Sequence, residues 1–187
     1  MVSPSGPGRP RRRLALAVAA AAAVTVGGLW LYRDPARQGD FASDPRPCSL
    51  VTAATARLVA GPAEGVETGS ACVWAGPGPG PDPQPVLEVR VSRLGTREAR
   101  ESFQRVKEQS EGKTGPMTAE LSDFGDEAFS RIRNSDGPRV TSEVWFRQGN
   151  VVIAVRYAPV DGDVDPSSHA GAYEVATEAA ARLGKGN

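Results

Sequence analysis

The sequence has one histidine and two cysteines, and only three of its 22 basic residues are lysines. One imidazole and two thiols leave almost nothing from which to build a multi-ligand metal site, a redox pair or imidazole catalysis. Charge of either sign in excess is also lacking. With 22 Lys and Arg against 22 Asp and Glu, the net charge is zero, so neither a nucleic-acid partner nor an acidic substrate is implied. Aromatics make up only 6% of the chain, but 40% of it is hydrophobic, enough for one modest core. Glycine and proline are abundant, at 21 and 16 residues, yet fall short of the roughly 25–30% that marks low-complexity chains.

What is present is organised by position. Arg9, Arg11, Arg12 and Arg13 stand before an uncharged run of 19 residues, Leu14 to Tyr32. As a helix this run is about 28 Å long, close to the hydrocarbon thickness of a bilayer. The arginines place the N-terminus in the cytoplasm, and Trp30 and Tyr32 suit the far membrane interface. A cleaved signal peptide, processed within Ala19 to Ala23, is the alternative. No Cys follows the run until Cys48, so there is no lipobox. The expected division is a basic cytoplasmic tail over 1–13, a transmembrane anchor over 14–32, a linker over 33–46 and an extracytoplasmic domain over 47–187. Four arginines and no acidic residue precede the anchor, so the outer part is mildly acidic.

Within that domain, Ser49 is expected to cap a short helix ending near Ala60, with Leu50, Val51, Ala54 and Leu58 on one side. Ala71 to Ala75 reads as a strand, with Cys72 and Trp74 on one face. In an oxidising compartment Cys48 and Cys72, 24 positions apart, most simply form a disulfide. The run from Gly76 to Pro85 holds five prolines and is expected to be an exposed loop. Val86 to Arg93 alternates as a half-buried strand. Thr96 is expected to cap a helix to about Ser110 with Ala99, Phe103 and Val106 inward. Three more strands are expected: Phe129 to Arg133, Val140 to Arg147 and Val151 to Tyr157. The first two are joined by an Asn-Ser-Asp-Gly turn at 134–137, the last two by Gln148-Gly149-Asn150. A final helix, capped by Asp165, carries Ala172, Val175, Ala176, Ala179 and Leu183. These elements predict an α+β fold: a mainly antiparallel sheet of about five strands with three packed helices, preceded by one transmembrane helix.

The run PCSLVTAATARLVAG, then CVW, LEVRVS, FGDEAF, GNVVIAVRY and an Ala-rich last helix resemble the actinobacterial secreted and envelope proteins grouped as domain of unknown function 3558. The resemblance covers about residues 45 to 184 and rests on the order of the motifs and both cysteines. In outline the chain is also similar to the extracellular sensor domain of a mycobacterial receptor kinase, which has a second disulfide. The resemblance implies an envelope location and this architecture, with no established activity and no catalytic residues to carry over.

Several constellations invite a chemical reading. Asp161, Asp163 and Asp165 alternate as Ca²⁺ ligands do, but Pro166 and Ala172 stand where an EF-hand loop needs Gly and Glu, so a polar loop is expected. His169 lies beside Ser167 and Ser168 without a nucleophile elbow. Asp123-Phe124-Gly125 spells a kinase motif whose partner motifs are missing. Asp126 and Glu127 are expected on opposite faces of a strand, with Gly125 serving a turn and Phe124 and Phe129 in the core. Trp74 and Trp145 are the candidate ligand platform. No catalytic residue, cofactor, metal or nucleic-acid partner is expected. The resulting expectation is a single-pass cell-membrane protein whose outer domain binds an envelope partner or ligand without catalysis. The alternatives are a carrier of small apolar molecules, in a cavity lined by Trp74, Phe103 or Trp145, and a hydrolase using His169.

Overall fold

The computed structural model describes residues 39–76, 84–111, 117–134, 140–159 and 166–185. The anchor over 14–32, with Arg11, Arg12, Arg13, Trp30 and Tyr32, lies outside them, as do most of the proline-rich loop, the 135–137 part of the Asn-Ser-Asp-Gly turn and the 161–165 aspartates. Among the described residues, no helix is long and apolar enough to cross a membrane.

The unit Gln38–Asn187 is α+β. Its strands are β1 (Gly65–Thr68), β2 (Ala71–Gly76), β3 (Gln84–Arg93), β4 (Met117–Leu121), β5 (Glu127–Asn134), β6 (Val140–Gln148) and β7 (Val151–Tyr157). They form one antiparallel sheet in the order β1-β2-β3-β7-β6-β5-β4. The sheet therefore has seven strands, not the five expected. The additions, β1 and β4, are its two short edges. Every residue of β1 is exposed, so the alternation that betrays a half-buried strand never develops there. A two-residue turn at Gly69, with φ +59°, folds β1 back on β2.

The helices are α1 (Ala53–Ala60), α2 (Thr96–Glu111) and α3 (Pro166–Lys185). The first begins later than expected: Pro47–Leu50 is a separate 3₁₀ turn, and Thr52, not Ser49, caps α1 by accepting the Thr55 N–H at 3.2 Å. The delayed start rotates the buried side to Ala56 and leaves Leu58 73% exposed, which corrects its expected inward position.

The pleat sends alternate side chains to two different covers. One face carries Cys72, Leu87, Val89, Val144, Phe146, Ile153 and Val155 against the 3₁₀ turn, α1 and α3. Each fully buried Leu, Val or Phe there contributes about 1.5–3 kcal/mol. The other face carries Phe129 and Val152 under Ala99 and Phe103 of α2. The described part of the segment expected as a linker, residues 39–46, also packs on the domain. Phe41 is buried, and the side chain of Asn150 brackets it, accepting the Phe41 N–H at 2.8 Å and donating to the Phe41 carbonyl at 3.1 Å. A single aromatic with a side-chain amide waiting for its backbone is enough to dock a segment without apolar periodicity.

Candidate functional site

On the α2 side of the sheet, strand register lines up one row of side chains across all seven strands: Val66, Val73, Glu88, Arg156, Glu143, Arg131 and Thr118. Four central members alternate in charge, so each carboxylate meets a guanidinium on the next strand. Glu143 sits at the centre, with its side chain only 2% exposed. Arg131 donates from Nε to its Oε2 at 2.6 Å, and Arg156 donates from Nε and Nη2 to Oε1 at 3.2 Å each. The Trp145 indole N–H adds a bond to Oε2 at 3.0 Å. Burial alone would push the Glu143 carboxyl upward. The Trp145 donor and the cations of Arg131 and Arg156 outweigh it and hold the group below its ordinary value. Arg131 is itself steadied by the Ser110 hydroxyl of α2.

The adjacent row reads Thr68, Ala71, Arg90, Ala154, Trp145, Phe129 and Glu120. Phe129 lies parallel to the Trp145 ring, with centroids 6.3 Å apart and planes within 1°, and the Arg131 guanidinium stands 5.6 Å from the indole centroid. Both belong to β5. On the β7 side the neighbour of Trp145 is Ala154, too small to cover the ring. The result is a cavity of about 320 Å³ lined by Glu88, Arg90, Glu143, Trp145, Ala154, Val155 and Arg156. α2 packs on β6 and β7. The cavity lies beside these contacts, reaching from β6 across β7 to Glu88 and Arg90 of β3.

The other expected site residues are distributed differently. Cys48 and Cys72 form the disulfide, with Cα atoms 5.0 Å apart. Trp74 is buried on the opposite face from Trp145, in the core with Cys72. The two tryptophans therefore do not share a platform. Phe103 is packed edge-on against Phe129 beneath α2, and of Trp74, Phe103 and Trp145 only Trp145 lines the cavity. Asp126 and Glu127 do not diverge. Asp126 precedes β5 in a bend, and both carboxylates reach Arg147, at 2.7 and 3.0 Å. Their work is to hold the β6–β7 turn: Asp126 also accepts the Gly149 N–H at 2.9 Å.

His169 does find a hydroxyl, that of Ser142, 3.2 Å from Nδ1. Ser142 is buried mid-strand, and among the described residues no carboxylate bonds to the His169 ring, so the orienting third member of a triad is missing. Next to His169, an open groove of about 620 Å³ runs along α3 past Thr55, Tyr173 and Glu174. Tyr173 is fixed there, packed edge-on against Phe124 and donating to Asp123 at 2.9 Å, but among the described residues no arginine or lysine lines the groove. Among the described residues no cluster of His, Cys, Asp and Glu could hold a metal ion.

Comparison with protein-family models, with curated proteins and with solved structures finds no match for this chain. The site thus rests on geometry. Of its residues, sequence reasoning singled out Trp145 alone as a ligand contact. The available signal was the alternation of Glu88 and Arg90 opposite the apolar positions of β3, and the isolated Arg156 ending an apolar run.

Proposed function

We propose that this chain is a single-pass envelope protein, anchored by residues 14–32, whose outer domain binds a ligand without catalysis. The observation that carries the binding reading is the cavity over Ala154, where a fixed indole and paired charges converge on an open part of the sheet. The location is supported by the arginine-flanked apolar run and by the Cys48–Cys72 disulfide, a bond that persists in oxidising compartments. The ordered resemblance to the domain of unknown function 3558 proteins points to the same place.

The full chain expressed in a bacterial host should fractionate with membranes, and protease added outside spheroplasts should degrade the domain. Cytosolic recovery, or a mature N-terminus between Ala19 and Gly28, would overturn the anchored reading. For binding, the same chain in detergent micelles carries three tryptophans, so 5-fluorotryptophan labelling gives three resolvable ¹⁹F probes. A small-molecule fragment set should contain members that shift the Trp145 signal selectively. A set in which none does so would overturn the binding reading.

A further inference from the structure

We propose that the cavity over Ala154 takes a planar aromatic ring bearing an anionic group, such as an aromatic carboxylate. This deepens the reading of the open sheet face as the binding surface and rests on it. The ring follows from the indole face. Trp145 on β6 and Arg90 on β3 flank Ala154 on β7, so they stand two strand separations apart, about 9.6 Å, which leaves room for a ring between them. A flat ring stacks on the indole over its whole face, whereas a puckered saturated ring touches it only through a few hydrogens. Phe129 and Arg131 already support the far side of the indole, and its N–H is tied to Glu143, so the stacking surface is fixed before a ligand arrives.

The anion follows from how the charges are layered. Arg90 and Arg156 are 56% and 47% exposed, whereas their carboxylate partners Glu88 and Glu143 are 14% and 2% exposed. Acid lies below and guanidinium above. Arg90 donates from Nε and Nη2 to Glu88 Oε1 at 3.0 and 2.6 Å, and its side chain lines the cavity. With that edge held by Glu88, the Nη1–Nη2 edge of the guanidinium is left with N–H donors for a ligand carboxylate. A cation placed in the mouth meets these guanidiniums first.

The test compares four probes on the full chain in micelles, read at the ¹⁹F signal of Trp145: 2-naphthoate, its neutral analogue 2-naphthylmethanol, the cation 2-naphthylmethylammonium and the non-planar anion cyclohexanecarboxylate. The inference expects 2-naphthoate to bind at least tenfold more tightly than each of the others. It expects Ala154→Leu, which fills the cavity floor, and Arg90→Gln, at an exposed position, each to weaken that binding tenfold or more. Equal binding of the alcohol or the cation overturns the anionic class while leaving a binding surface. Naphthoate affinity unchanged in both variants places the ligand elsewhere and overturns the site. If no probe and no fragment moves the Trp145 signal, both this inference and the binding reading fall.

Discussion

Glu143 carries a full charge on a side chain only 2% exposed, and it is stable there because four donors from Arg131, Arg156 and Trp145 surround its two oxygens. Replacing it with Gln strands two guanidiniums. We expect Glu143→Gln to lose about 3 kcal/mol of unfolding free energy, measured by urea titration. The depressed carboxyl also sets a pH dependence. Because the folded value lies below the ordinary 4.5, the group's stabilisation is present above 4.5 and is lost as pH falls through the lower folded value. Stability of the native chain should therefore decline on acidification below about pH 4.5, and Glu143→Gln should flatten that limb; a parallel decline would contradict the assignment. None of this was legible from the residue itself. In the run from Val140 to Gln148, Glu143 reads as an ordinary outward residue, and only α2 and the neighbouring arginines make its position buried.

At the scale of elements, the sequence showed periodicity well and boundaries poorly. Alternation in β3 and the small-residue stripe of α3 were both readable, because each reflects one cover on one face. Two edge strands and the start of α1 were not, since their outcome depends on pairing and on a distant acid. Glu178 of α3 accepts the Thr52 N–H at 3.1 and 3.2 Å and so fixes where α1 begins. Burial pushes the Glu178 carboxyl up, and the Thr55, Thr52 and Arg182 donors bring it below its ordinary value. The docked segment around Phe41 is the clearest case. Asn150 satisfies both backbone groups of Phe41 and donates to the Leu94 carbonyl at 3.1 Å. Asn150→Ala should cost about 2 kcal/mol by leaving buried backbone groups unpaired. Removing residues up to 46 should cost a similar amount, and the two changes together should cost less than their sum, which a double-mutant cycle in urea reports.

For the whole molecule, the Cys48–Cys72 bond joins the 3₁₀ turn to β2, a strand next to the edge, across 24 positions. Chain-entropy reasoning gives about 3.5 kcal/mol for a loop of about 25 residues. Reduction, or Cys48→Ser with Cys72→Ser, should lower stability by about that amount without changing the 2-naphthoate affinity, because the cavity lies on the other face of the sheet; calorimetry and ¹⁹F titration read the two effects separately. The sequence by itself determined the type and the buried face of the strongly periodic elements and the cysteine pairing, since each depends on residues close in the chain or on there being only two thiols. The tertiary structure alone decided the site. Glu88, Arg131, Glu143 and Arg156 come from four strands, and alternation says which face a residue occupies but not which strand lies beside it. Only the order β3-β7-β6-β5 brings those charges into one row, and only the partial cover of α2 leaves Trp145 beside an open floor at Ala154.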